Sequence, residues 1–409
     1  MKSPRKSGIT RCIAFALVAL TSAASALAVE PALLSTIEDG NAGVLMPSPD
    51  VGLPNPAQTL FNLPIGAAPH GVSFRGGNDA LFAEFQTPML YRAALATPGT
   101  VEIISLTGRT RGNGSLAARS DGRFALSIGE SVPGGAGEAV VIDFTTGIPV
   151  VSPIVPALRV KSFATASIDF APDGRAFVCH STGVSVLSPP YTTVDFTMPF
   201  PTIVQSASMC RLTRDGSRLF VTRVLSETVA SVNAVRTTTA PFSAASTFVE
   251  MPTPAGVQGL GPMAVSPDGQ ALIVGQQFLF PPTFSGVKAR AFLLRAPFDG
   301  QTAYQELTLP PATTGTSCLN GSTAVDCPGF EHIDVSDDGS LAILTGNSSS
   351  VVSPAADRVP AVFISNPFND ATRTTQAVQI APTAPVPGRG SGTVRFQPQR
   401  IFRDGLETP

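Results

Sequence analysis

The chain has 409 residues, 43% of them apolar, with 27 basic against 29 acidic side chains. That length allows two or three domains of roughly 150 residues, or one closed β architecture. A charge this close to balance excludes the basic surface that nucleic acid or an anionic membrane needs.

The N-terminus carries Lys2, Arg5, Lys6 and Arg11, then an apolar run over residues 12–20, then small residues ending Ala26-Leu27-Ala28. That order is expected of a secretory signal peptide over residues 1–28, cleaved after Ala28. The run is too short to cross a bilayer comfortably, and no later run reaches about 20 apolar residues. No small-residue lipobox precedes Cys12, so the mature chain is expected to be exported and soluble. Without the leader it has 23 basic against 29 acidic residues, and in the full chain arginine outnumbers lysine 23 to 4, as in proteins of GC-rich bacteria. The expected compartment is the periplasm or extracellular medium of a Gram-negative bacterium. An even count of cysteines beyond the leader, in an exported chain, makes disulfides the expectation. Cys318 with Cys327 would close a Gly/Ser/Thr/Asn-rich loop, and Cys179 with Cys210 would form a second pair. No C-x-x-C and no His at ligand spacing supports a metal site at these cysteines.

In chain order, residues 43–46 and 58–64 are the first apolar segments, the second reading as an outer strand that feeds the first full repeat. One pattern then recurs. It is clearest at Met263 and Val265, the turn Ser266-Pro267-Asp268-Gly269, and Leu272 and Val274. Pro267 suits the second position of a type I turn and Gly269 the fourth; the flanking alternation is that of strands. Copies start at Val72, Leu116, Ile168, Cys210, Met263 and Ile333. Their turn positions 77, 121, 173, 215, 268 and 338 are separated by 44, 52, 42, 53 and 70 residues. A second apolar run follows each turn, as at 124–128 and 341–344, and then a third, as at 139–143 and 184–187. No segment after the leader reads as a helix of convincing length. A repeat of about 40 to 50 residues with room for four short strands is a propeller blade.

Residues 393–399 repeat the first strand and turn just before the chain stops. The expected fold is therefore all-β: a seven-bladed β-propeller, with six blades as the alternative, forming one domain over residues 29–400. N- and C-terminal strands would share one blade and close the ring, removing exposed sheet edges. Residues 401–409 form a tail with no assigned role.

Leu219-Phe220-Val221-Thr222-Arg223, followed by Thr228-Val229-Ala230-Ser231-Val232-Asn233, resembles the repeat of YVTN-type propellers of the lactonase-like superfamily, with Phe220 and Arg223 in place of Tyr and Asn. The resemblance runs over most of the mature chain. It implies the propeller fold; members of that superfamily bind varied partners and only some are hydrolases. The absence of tryptophan argues against WD40 blades, whose signature ends in Trp-Asp.

Propeller topology puts the turns after first strands on one face and the loops after second and fourth strands on the other. His70, His180 and His332 are then expected on or near the latter face, with Glu331 and the apolar loop carrying Phe278, Phe280 and Phe284. Two readings stand side by side: histidines bonded to loop carbonyls with phenylalanines packed beneath, or a ligand or divalent-metal site at the channel mouth made by His70, Glu331 and His332. On the inner strands the middle position reads Ser73, Ala117, Asp169, Arg211, Ala264, Asp334 and Arg395 in blade order. Asp169 with Arg211, and Asp334 with Arg395, are expected inter-blade ion pairs, because a lone buried ion is costly; a channel that binds a polar solute is the alternative.

H-E-x-x-H, C-x-x-C-H, Walker and G-x-S-x-G motifs are absent. The Gly-rich 388–392 follows a Pro-rich stretch and reads as a linker. The leading expectation is a monomeric binding scaffold offering one loop face to a protein or small-molecule partner, with no cofactor assigned beyond the divalent ion considered above. The alternative, implied by the resemblance, is a lactonase-like hydrolase at the channel mouth.

Overall fold

Second and third strands of the repeats are apolar almost throughout rather than at alternate positions: Ala271–Gln276 and Leu341–Gly346 are buried along their whole length. Such a strand needs cover on both faces. The computed structural model supplies it by stacking seven antiparallel sheets, six of four strands and one of five, around a common axis. The residues described are 29–36, 42–47, 49, 58–62, 69–84, 87–132, 137–160, 167–180, 182–200, 208–223, 234–254, 257, 260–276, 290–310, 330–346, 361–378 and 391–397. The chain is a seven-bladed β-propeller, with no helix among those residues and hence none long and apolar enough to cross a membrane.

The inner strands of blades 1 to 7 are Pro69–Arg75, Arg111–Ala118, Ile168–Phe170, Ser208–Leu212, Leu260–Val265, Phe330–Val335 and Ser391–Phe396. Each lies beside the inner strand of the next blade, and the seventh lies beside the first. Blade 7 takes its inner strand from the C-terminal end and the other three, Ala32–Thr36, Ala42–Met46 and Gln58–Asn62, from the N-terminal end. Arg395 sits opposite Leu33 and Phe396 opposite Ala32. The Gln397 N–H then donates to the Pro31 carbonyl at 2.7 Å. The strands expected near 43–46 and 58–64 are present; Ala32–Thr36 is an additional one.

Apolar packing follows the gaps between blades rather than a single centre. Buried residues form seven clusters, each shared by two neighbouring blades. The period of two along a strand sends successive side chains to different clusters: Ala32 and Val44 pack toward blade 6, Leu33 and Leu45 toward blade 1. The same split holds in blade 5, where Ile273 faces blade 6 while Leu272 and Val274 face blade 4. Phe220, fully buried between blades 4 and 5, contributes about 3 kcal/mol by its burial alone.

The turns after the inner strands carry the register. In blade 5 the Gly269 N–H donates to the Ser266 carbonyl at 2.9 Å, closing the type I turn. Asp268 Oδ1 accepts the Gln270 N–H at 3.0 Å, and Ser266 Oγ accepts the Ala271 N–H at 2.8 Å while donating to Asp268. Ser336 and Asp338 repeat this in blade 6. Hydrogen bonds from Ser266 and Thr213 hold the Asp268 and Asp215 carboxyls below 3.8. Neighbouring turns also touch: a Cβ on Gly269 would lie 3.0 Å from Thr213, and one on Gly339 would lie 3.0 Å from the Pro267 ring. Between blades 7 and 1 the contact is Gln397 Nε2 to the Gly77 carbonyl at 3.2 Å. Between blades 6 and 7 it is the Asp337 N–H to the Glu30 carboxylate.

Gly339 combines φ of +74° with that proline contact, so Gly339→Ala is expected to lower unfolding free energy by about 1–2 kcal/mol in urea titration, from the left-handed backbone alone. Gly300→Ala, where a Cβ would meet only the Glu250 carbonyl at 3.7 Å, is expected to stay within about 0.5 kcal/mol of the parent. Equal midpoints for the two variants would contradict the left-handed backbone at Gly339.

Candidate functional site at the propeller axis

Middle positions of the inner strands face the axis, and their side chains divide by length. The short acceptors hook the next blade's backbone: Ser73 Oγ accepts the Ala118 N–H at 3.0 Å, Asp169 Oδ2 the Leu212 N–H at 2.8 Å, and Asp334 Oδ2 the Phe396 N–H at 2.8 Å. Each reaches the residue just after the neighbour's own middle position. A carboxylate that accepts amide hydrogens is stabilised as the anion without a cation beside it.

This geometry corrects one of the two expected ion pairs. Asp169 uses Oδ2 on Leu212 and Oδ1 on its own neighbour, the Phe170 N–H at 3.0 Å. Arg211 does not turn to it. The guanidinium instead crosses the axis to blade 6, where Nη2 donates to His332 Nε2 at 3.0 Å; Nη1 bonds the Cys210 carbonyl at 3.4 Å. The crossing passes blade 5, whose middle residue is the small Ala264. One turn below, Arg214 makes a parallel link from blade 4 to blade 6, with Nη1 on the Asp337 carbonyl at 2.5 Å and an ion pair to the Asp337 carboxylate. Asp334 and Arg395 do pair, at 3.8 Å.

Since arginine can only donate, His332 Nε2 accepts, and the neutral ring carries its proton on Nδ1. That nitrogen is buried without a hydrogen-bond partner. Burial first, then the positive fields of Arg395 and Arg211, hold His332 well below 6.5; the nearby Val394 backbone acts weakly the other way. Burial raises the Asp334 carboxyl above 3.8 despite Arg395 and Arg211. The opposing shifts fit a 3.8 Å contact too long to offset desolvation. Burial and the like charge of Arg211 bring Arg395 down to about 10, which leaves it protonated at neutral pH. Asp334 and Arg395 each keep 18% of their side-chain surface open, so the axis is not sealed.

His70 is the second residue of its inner strand, where a position just before the strand is expected from the sequence, and His332 is the third residue of its own, near the strand start as expected. The side chains of His70 and Glu331, and all of Phe278, Phe280, Phe284, Cys318 and Cys327, lie outside the described residues; of the proposed channel-mouth group, His332 is placed, and it faces Arg211. Among the described residues no group of three His, Cys, Asp or Glu could share a metal ion. His180 ends the second strand of blade 3, as expected. Its Nε2 lies 2.9 Å from Ser185 Oγ and its Nδ1 3.0 Å from Thr182 Oγ1, a structural role. Cys179 and Cys210, expected as a disulfide, are separate buried thiols on neighbouring blades, with Cys210 Sγ donating to the Ser167 carbonyl at 3.5 Å. Burial, then the Cys210 thiol, pushes Cys179 well above 9.0, so it stays a packed thiol rather than a nucleophile.

No protein-family profile matches the chain, and no curated protein is similar enough in sequence to match. Solved structures do share its fold. A periplasmic gluconolactonase of Pseudomonas aeruginosa is 15% identical with a TM-score of 0.57, over 90% of this chain and 99% of that one. A protein from Lactobacillus plantarum is 13% identical with a TM-score of 0.57, over the same shares. A functionally unknown protein from Desulfotomaculum acetoxidans is 11% identical with a TM-score of 0.53, over 90% and 98%. At these identities the likeness is one of fold alone, the β-propeller.

Two expectations follow from the buried groups. His332 lies well below 6.5 and His180 at about 4, so between pH 6.5 and 4 the unfolded chain binds more protons than the native one, and stability is lost as the pH is lowered through that range. Thermal unfolding across that range is expected to show the slope in the parent and a flatter one in the double variant His180→Gln, His332→Gln; parallel curves would contradict the assignment. Asp334→Ala strands Arg395 and frees the Phe396 N–H, with an expected loss of about 3 kcal/mol in urea unfolding; a loss below about 1 kcal/mol would mean the contact is solvated.

Proposed function

We propose that this chain is an exported binding propeller that presents one loop face and its axial channel to a partner, rather than a hydrolase. The observation that carries the reading is the engagement of His332. Its Nε2 accepts from Arg211, and the ring is buried between inner strands and held neutral. A general base or metal ligand needs a nitrogen lone pair open toward substrate or ion, and here that lone pair is taken. The leader expected over residues 1–28 supports export to the periplasm or beyond, where a rigid platform with long connections on one face suits recognition.

The hydrolase reading draws on the fold shared with the gluconolactonase, and one fold hosts many activities. In that case His70, Glu331 and His332 would act together at the channel mouth, with or without a divalent ion. Purified protein assayed on a panel of aldonolactones, with and without added Mg²⁺, Ca²⁺ or Zn²⁺, is expected to give no rate above buffer. Turnover that falls at least tenfold in both His70→Ala and Glu331→Gln would overturn the binding reading.

A further inference from the structure

Arg211 is a buried cation with no ion pair among the described residues. It is 6% exposed, and its two hydrogen-bond partners are uncharged. Asp169, the acid on the preceding blade, is tied to backbone amides. Nε is buried with no partner, and of the two N–H groups on Nη2 one goes to His332. Nε–H beside an Nη–H is the guanidinium edge that a carboxylate takes bidentately. A guanidinium buried without a counter-ion is costly, and a structure that keeps one has a use for it.

The surroundings narrow the ligand. Arg395 lies close enough to Arg211 for the two cations to repel, and it meets its acid only at 3.8 Å. An anion between the two guanidinium groups would relieve both. Asp169 and Asp334 are nearby on the same axis and would oppose a dianion such as phosphate. Asp334 and Arg395 keep part of their side-chain surface open, so solvent reaches that side of the cluster.

We propose that the propeller axis holds a seat for one singly charged carboxylate group, gripped by Arg211 with Arg395 as its second cation. The inference rests on the binding reading above and makes it specific: the small-molecule partner, or the side chain or terminus of a partner protein that enters the channel, carries a carboxylate there. His332 acts as a positioning residue, its neutral Nε2 fixing the guanidinium plane so that the Nε edge is left for the ligand.

Formate is the probe, titrated into the full exported chain at fixed ionic strength with sodium chloride. Arginine-labelled protein is expected to show a saturable shift of one ¹⁵Nε–¹Hε resonance, the one missing from Arg211→Gln, with a parallel saturable rise in melting temperature. The apparent Kd for formate is expected to weaken at least tenfold in Arg211→Gln and to change less than twofold in Arg214→Gln, which removes an arginine one turn away on the face. Should Arg211→Gln fail to fold, Arg211→Lys, which keeps the charge and loses the fork, is expected to weaken formate at least fivefold. A response linear in formate, or one unchanged in the Arg211 variants, overturns the site. Saturable formate binding in a protein that also hydrolyses lactones would overturn the binding reading alone, and an absence of both saturation and turnover would overturn the site alone.

Discussion

A strand with apolar side chains on both faces cannot end a stack, and nearly every second and third strand here is of that kind. With seven such sheets in a row, the first and last would each leave one face in water; joining them removes both ends. The ring is therefore dictated by the sequence of each blade, and it holds only if blade 7 is complete. Ala32 and Val44 cover blade 6 while Leu33 and Leu45 cover blade 1, so the same two strands seal both gaps. The inner strand Ser391–Phe396 adds Val394 and Phe396 to the blade 6 side and places Arg395 on the axis.

Closure also decides the chemistry of the axis. Seven inner strands present one middle residue each, and the ring brings side chains from non-adjacent blades within bonding reach. Short side chains at these positions serve the neighbour's backbone, as Ser73, Asp169 and Asp334 do. Arginine is long enough to cross, and where the intervening residue is Ala264 it does. The cluster of Arg211, His332, Asp334 and Arg395 is thus a product of geometry: two blades apart in sequence, in contact across the axis.

The repeat was legible because its turn is chemically marked. Asp268 and Asp338 bond the backbone two residues on, and Gly269 and Gly339 take the left-handed conformation that follows, so Ser-x-Asp-Gly announces a hairpin wherever it falls. Ala32–Thr36 escaped notice for the complementary reason: its inner-strand partner comes from the far end of the chain, and no turn joins them. The Asp169–Arg211 pairing failed because adjacency of blades says which charges are near, not whether a backbone amide is nearer; the Leu212 N–H is. His332 lies on the expected strand, but nothing local in the sequence points from residue 332 to its hydrogen-bond partner at 211. Ala264 between two blades with long polar middle residues was the available sign.

Amide hydrogen exchange over Ser391–Phe396 tests the closure most directly. If the two ends of the chain fasten the ring, those amides exchange only through global unfolding, at the same slow rate as the buried strand Ala271–Gln276 and with the same response to urea. Exchange of Ser391–Phe396 at the rate of an unstructured peptide, while Ala271–Gln276 stays protected, would contradict the closed ring and, with it, the placement of Arg395 at the axis.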